Sequence, residues 1–273
     1  MKKVLIVFEG SGFSAGAASF AFQLNEIQPL LLTGIFLPHE QMARIWNEAV
    51  ATGDKYYFPL LESAESELVQ RNTERFRKLC EKHHIEYRIH NDFSDLIIPE
   101  LKKESRFADL LILGSNEFYT QHDPAVPNEY LIESLHTMEC PVLVVPEKFD
   151  FPENIILAYD GSGESVYAIK QFASLFPELA SLETTLVYAY DKEPGFPDQI
   201  QIEELAARHF EKLTFTSLDN RSENVFVNWL AEKKSSLLVC GSYGRSGVSR
   251  LFRKSFARDI ISELAIPVFV AHK

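Results

Sequence analysis

Gly241, Ser242, Gly244 and Arg245 follow a short apolar run, Leu237-Leu238-Val239-Cys240, and further cations follow them in turn. The run is too short for a helix and is bounded by glycine, so it reads as a buried strand. After Gly247 the chain turns toward a helix that ends near Leu264. A strand, a glycine-containing turn and a helix N-terminus in that order form a concavity of backbone N–H groups suited to a phosphate. The charge pattern agrees. From Ser242 to Arg258 there are five cations (Arg245, Arg250, Arg253, Lys254, Arg258) and no acid, in a chain of formal net charge −12. Outside that window the part from Phe151 onward carries 8 basic and 16 acidic residues. A basic run is ordinarily a solvated helix face that balances nearby acids. Its coincidence with the glycine turn favours an anion site.

The elements that would position this turn occur as two matching sets. Val4-Leu5-Ile6-Val7-Phe8 runs into Glu9-Gly10-Ser11-Gly12, and Ile155-Ile156-Leu157-Ala158-Tyr159 runs into Asp160-Gly161-Ser162-Gly163. Each is a strand, an acid, a Gly-Ser-Gly turn and then a helix, which in the first copy runs from Ser14 and is Ala-rich, with Phe20, Phe22 and Leu24 supplying bulk. In the second copy Val166, Ile169, Phe172, Ala173 and Phe176 fall at helical spacing, with Pro177 as the stop. Leu110 to Ser115 matches Leu237 to Ser242, and Cys140 to Val145 matches Ile266 to Ala271. The glycine-to-proline spacing between these landmarks is 27 residues in the first set and 26 in the second. Shared order with shared spacing indicates an internal duplication.

Each set also holds a second strand (Leu30 to Leu37; Thr184 to Tyr190) and a third (Ile85 to Ile89; Leu213 to Ser217), with helical patterns between. Alternation of apolar strands with helices argues for two α/β units, each a five-stranded, mostly parallel sheet covered on both faces. In such sheets a ligand binds at the carboxyl ends of the strands where the order reverses, which places Asp160 and the Gly241 turn on one rim. The boundary falls in Pro146 to Pro152, so the units are 1–148 and 153–273. They are expected to pack face to face within one chain. The first unit is longer because of Pro38 to Pro59, an insertion with Trp46, Tyr56, Tyr57 and Phe58 that reads equally as a lid or partner surface and as cover for a sheet edge.

Composition narrows the classes. With 46% hydrophobic and 24% charged residues over 273 positions, the chain can bury a full core. The N-terminus has two lysines and then five apolar residues before Glu9, too few for a signal-peptide core, and no later segment reaches membrane length. Three cysteines, Cys80, Cys140 and Cys240, are odd in number and scattered, as expected of buried thiols in a reducing cytoplasm. The acidic balance argues against nucleic acid, whose backbone demands clustered cations. Histidines show no metal-ligand spacing, and the adjacent His83 and His84 would point about 100° apart on a helix. No Gly-x-Ser-x-Gly elbow exists for a hydrolase.

With the repeat and the glycine turn in place, the whole chain resembles a tandem universal stress protein. The resemblance implies Rossmann-like domains of the adenine nucleotide alpha hydrolase-like type, and, because single-domain relatives commonly pair through their last strands, it implies that Val142 to Val145 and Val268 to Ala271 meet near a pseudo-two-fold axis. It also implies ATP binding in some members, through an Asp after the first strand and a Gly-x-x-Gly, nine residues, Gly-Ser/Thr motif after the fourth. Asp160 matches the Asp, beside Gly161 and Ser162; Gly241 and Gly244 match the first two glycines; Ser255 matches the closing hydroxyl. Lys254 stands where the family has its third glycine, and a Cβ there obstructs close approach of backbone to phosphate. In the first unit Glu9 replaces the Asp, and Gly114-Ser115-Asn116-Glu117 lacks the second glycine, so that site reads as lost.

Two functional readings follow. In one, a cytoplasmic stress protein without efficient catalysis holds ATP or a related nucleotide weakly in its second unit, through Asp160, Gly161, Ser162, Gly241, Ser242, Gly244, Arg245, Lys254 and Ser255, with no required cofactor and no metal. In the other, both sites are vestigial, and the paired units form an interaction module for a protein partner, alone or as a homodimer. A weak ATPase is a third reading; the turn supplies neither a general base nor a metal-holding carboxylate for it.

Overall fold

The computed structural model describes residues 1–9, 12–37, 58–90, 97–115, 134–190, 195–219, 221, 225–241 and 265–271. Its strands are β1 Lys2–Glu9, β2 Leu30–Leu37, β3 Glu86–His90, β4 Leu110–Gly114, β5 Val142–Val145, β6 Asn154–Tyr159, β7 Glu183–Tyr190, β8 Lys212–Asp219, β9 Ser236–Gly241 and β10 Val268–Ala271. The helices are α1 Ala15–Ile27, α2 Phe58–Lys82, α3 Ile97–Ser105, α4 Gly163–Leu175, α5 Gln199–Ala207 and α6 Val225–Ala231. Residues 38–57 of the insertion lie outside the described residues.

The ten strands form one sheet of order β3-β2-β1-β4-β5-β10-β9-β6-β7-β8, which reads as the same pattern from either edge. All neighbours are parallel except β5 and β10. Those two pair antiparallel, with Val268 opposite Val144, Phe269 opposite Leu143 and Val270 opposite Val142. The two strands expected to meet do so, but the halves join edge to edge rather than face to face. The reason lies in their sequences. Both strands are buried along all four residues, so each is apolar on both faces and presents a row of backbone donors and acceptors. Pairing satisfies that row and removes two open edges together.

Alternation of side chains along each strand then builds two apolar layers. Val4, Ile6 and Phe8 of β1 and Ile155, Leu157 and Tyr159 of β6 face one layer, with α1 and α4. Leu5 and Val7 of β1 and Ile156 and Ala158 of β6 face the other, with Leu101 of α3 and Phe226 and Leu230 of α6. Both layers run through the seam, because Leu143, Val145, Phe269 and Ala271 belong to the first and Val142, Val144, Val268 and Val270 to the second. Phe269 of the seam packs edge-on against Phe172 and Phe176, ring centroids 5.4 and 6.0 Å apart.

Polar contacts reinforce the junction. The Lys2 ammonium, at the start of β1, donates to the carbonyl of Leu175 at the end of α4 and to Gln28 Oε1 at 2.7 Å, and lies 5.5 Å from the Phe176 ring centre. A cation on the last carbonyls of a helix meets the negative end of its dipole. Burial holds the Lys2 pKa below the usual lysine value, against the pull of Glu178 and Asp109. The connection between the halves is fixed as well. Phe149 and Phe151 flank Phe20 of α1 at 5.7 and 5.2 Å, and Pro146 passes so close to Gly16 that a Cβ there would lie 2.1 Å from the Pro146 carbonyl oxygen.

Two outcomes follow from this packing. Gly16→Ala forces backbone apart and should cost about 1–3 kcal/mol, read as a lower urea midpoint with unchanged slope. The three cysteines are buried, and burial pushes each thiol up to about 12. Thiolate is the reactive form, so at pH 8 a disulfide reagent should leave the folded protein essentially unmodified and titrate all three thiols once it is unfolded.

Candidate functional site

At the carboxyl end of β6 the chain makes a tight turn built by three consecutive residues. Asp160 Oδ1 accepts from the Ser162 N–H at 2.9 Å, an Asx turn that bends the backbone away from the strand. Gly161 sits at φ +79, a left-handed conformation that penalises any Cβ. Ser162 is the N-cap of α4: its Oγ accepts from the Ser165 N–H at 3.1 Å, while the Ser165 hydroxyl donates to the Ser162 carbonyl at 2.9 Å. A cap of this kind is worth about 1 kcal/mol to the helix.

Gly241 ends β9, the strand that pairs with β6 on its other side. A Cβ at Gly241 would lie 2.6 Å from the Glu164 carbonyl carbon and 2.7 Å from the Ser165 nitrogen. The end of β9 therefore abuts the first turn of α4, and only glycine permits that approach. Asp160 and Gly241 both lie beyond the last paired positions of the two strands, Leu157 and Val239. The structure thus brings Asp160, Gly161, Ser162 and Gly241 to one rim, at the point where the chain leaves β6 for one side of the sheet and β9 fills the other. Burial raises the pKa of both Tyr159 and Cys240, which bracket the rim from below; Asp198 and then Asp160 add to it at Tyr159, and Asp160 at Cys240. Ser242, Gly244, Arg245, Lys254 and Ser255 lie outside the described residues.

The corresponding rim of the first half is built differently. Five residues (10–14) separate Glu9 from Ala15, where two (161–162) separate Asp160 from Gly163. The helix cap accordingly falls on Ser14, whose side chain accepts from the Ala17 N–H at 3.1 Å, and not on the serine of the Gly-Ser-Gly string. The longer loop folds inward. Phe13 stacks on Phe8 at 4.4 Å with an interplanar angle of 11°, Arg75 lies 4.1 Å from the Phe13 ring centre, and Asn72 donates to the Gly12 carbonyl at 3.0 Å. At the N-terminus of α1 the Glu147 carboxylate accepts from the Ala15 N–H at 3.2 Å, the Gly16 N–H at 3.2 Å and the Ser14 hydroxyl at 3.3 Å. An acid of the connecting segment thus occupies the position where a helix dipole and free N–H groups attract an anion.

Neither Phe13 nor Glu147 stood out in the sequence. One signal was present: Glu147 stands two residues after Val145, whereas Lys273 stands two after Ala271, the matching residue. The pair reverses charge across the repeat. Among the described residues no group of three His, Cys, Asp or Glu side chains is placed to hold a metal ion, and no helix is long and apolar enough to cross a membrane.

Comparison with known proteins agrees with this architecture. Residues 189–272 match the model of the Universal stress protein family. No curated protein matches the chain by sequence. Among solved structures, a universal stress protein from Archaeoglobus fulgidus DSM 4304 superposes with a TM-score of 0.66 at 12% identity, over 100% of this chain and 96% of that one. A functionally unknown protein from Pseudomonas aeruginosa PAO1 superposes with a TM-score of 0.54 at 14% identity, over 99% and 92%. The chain therefore has the fold of the universal stress protein of known structure along its length, and residues 189–272 match the family's sequence model.

If Glu147 is held as described, Glu147→Ala should lower stability by about 1 kcal/mol, the net worth of a charged acceptor on a helix start. Glu147→Lys should cost more, because it sets a cation against the positive end of α1. Thermal denaturation of the two variants beside the parent reads the order.

Proposed function

We propose that this chain, whose residues 189–272 carry the universal stress protein family match, is a tandem member of that family. It acts in the stress response by holding an adenine nucleotide weakly in its second half, without efficient turnover. The observation that carries this reading is the difference between the two rims. In the second half Asp160 and Gly241 stand together at the ends of paired strands, with the turn and the close approach that only glycine allows. In the first half the same ground is filled by Phe13 and by the Glu147 carboxylate. Asp160 would contact the base side of the ligand. Gly241, Ser242, Gly244, Arg245, Lys254 and Ser255 would serve the phosphates through backbone N–H groups, one hydroxyl and added charge.

Catalysis is not part of the proposal. The Ser162 hydroxyl accepts from the Ser165 N–H and lies 3.4 Å from the Ser165 hydroxyl, so it is engaged in the helix start rather than paired with a base. Lys254 in place of a glycine keeps affinity low. A Cβ where backbone must meet a phosphate oxygen costs on the order of 1–3 kcal/mol, or about one to two powers of ten in affinity.

Calorimetric titration of ATP at fixed salt tests this. The parent should bind weakly, Asp160→Ala should bind more weakly still, Lys254→Gly should bind about ten- to a hundredfold more tightly, and Glu9→Ala should match the parent. Equal losses from changes in both halves would refute the assignment to the second half. Absence of binding in the parent and in Lys254→Gly would leave the pair of halves as an interaction module for a protein partner.

A further inference from the structure

Gly195, Phe196, Pro197 and Asp198 lead into α5 and cross the candidate rim. Pro197 packs over the β6 turn: a Cβ on Gly161 would meet the Pro197 ring at 2.8 and 3.0 Å. The Tyr159 hydroxyl donates to the Pro197 carbonyl at 2.8 Å. Phe196 sits between Tyr188 and Phe215, its ring centroid 5.7 and 5.5 Å from theirs. The segment is bounded by two residues of positive φ, Gly195 at +142 and Asp198 at +46. Asp198 is not glycine, so its left-handed conformation stores strain that the surrounding contacts hold in place.

We propose that residues 195–198 form a strap that closes over the Asp160–Ser162 turn, and that the Tyr159 hydroxyl is the catch that keeps it shut. The inference rests on the nucleotide reading of that rim and adds its regulation. Tyr159 is a positioning residue here. Its ring is buried in the core layer, it immediately precedes Asp160 in the chain, and its one polar atom reaches out of that layer to the strap. A buried hydroxyl must find a partner, and this one has found a backbone carbonyl of the loop rather than a group of its own sheet. The first half supplies the contrast. Phe8 stands at the position matching Tyr159, has no hydroxyl, and is covered instead by Phe13 of its own turn. One half closes its rim with a ring that has no catch, the other with a loop whose Phe196 is anchored between Tyr188 and Phe215 and whose Pro197 is tied to the rim strand through the Tyr159 hydroxyl. Breaking that hydrogen bond frees Pro197 from the turn while Phe196 keeps its place against the core layer.

Tyr159→Phe is the direct test. It removes one oxygen, keeps the ring in the core layer, and installs the residue the first half already uses. Loss of one hydrogen bond of ordinary net strength should shift the opening of the strap by about fivefold. Two measurements on parent and variant read it: hydrogen exchange of the peptide covering 195–202, and stopped-flow association of the fluorescent analogue mant-ATP. The expected result is faster exchange in that peptide together with an association rate about fivefold higher. Unchanged exchange would show that Tyr159 is not the catch. Faster exchange with an unchanged association rate would show that the strap does not lie on the path to the site. A lower melting temperature with neither change would mark the hydroxyl as structural only. Binding by the parent with any of these outcomes overturns the strap alone, whereas failure of both proteins to bind mant-ATP overturns the nucleotide reading and the strap with it.

Discussion

The antiparallel pairing of β5 with β10 is the constraint on which the rest of this molecule depends. Each half ends in a four-residue strand that is apolar on both faces. Alone, such a strand would leave one edge of its sheet unpaired and apolar, which soluble proteins avoid. Pairing the two edges with each other turns two five-stranded sheets into one of ten and lets both apolar layers run across the join. Because strand direction reverses only there, all other neighbours remain parallel, and both sets of carboxyl ends keep their α/β geometry.

Within that frame the two halves have resolved their rims in opposite ways. The first half satisfies its helix N-terminus with Glu147 and covers its β1 end with Phe13. Its anion position therefore has a tethered occupant. The local concentration of a group on a short tether is on the order of millimolar, so a free anion would have to displace a partner that never diffuses away. The second half keeps the compact turn, the glycine at the end of β9 and a covering loop held by a hydroxyl. Two halves of like strand order allow this division, because a change that fills one rim leaves the other unaltered.

How much of this was legible in the residues depended on the range of the interaction. Strand runs such as Ile155 to Tyr159 and Val268 to Ala271 announced themselves, since burial on both faces leaves an unbroken apolar string. Asp160-Gly161-Ser162 was equally legible, because its Asx turn and cap are made by neighbours in sequence. In the first half the helix start at Ser14 was legible too, from the Ala-rich run that follows it, but the longer loop before it and what that loop covers were not, because the Gly-Ser-Gly letters are identical in both halves. Face-to-face packing of the halves was the wrong expectation for a related reason: an apolar strand looks alike whether a second layer or a second edge covers it. Contacts made by distant partners, Glu147 on α1, Pro146 on Gly16 and Tyr159 on Pro197, left almost no trace in the sequence, because each depends on where the fold carries a residue and not on its neighbours.

The seam also sets the order in which the molecule can be completed. Every other strand pair lies within one half, but Val144 waits for Val268. A chain made from its N-terminus has its first five strands long before β10 exists, and through that interval β5 stands as an open, uncharged edge. Closing it requires a contact between residues far apart in sequence, the slow kind in folding because loop-closure entropy is lost before the contact forms. Until then the natural complement of β5 is β10 from any copy of the chain, so at high concentration during refolding the same pairing that closes one molecule can join two by exchanging halves.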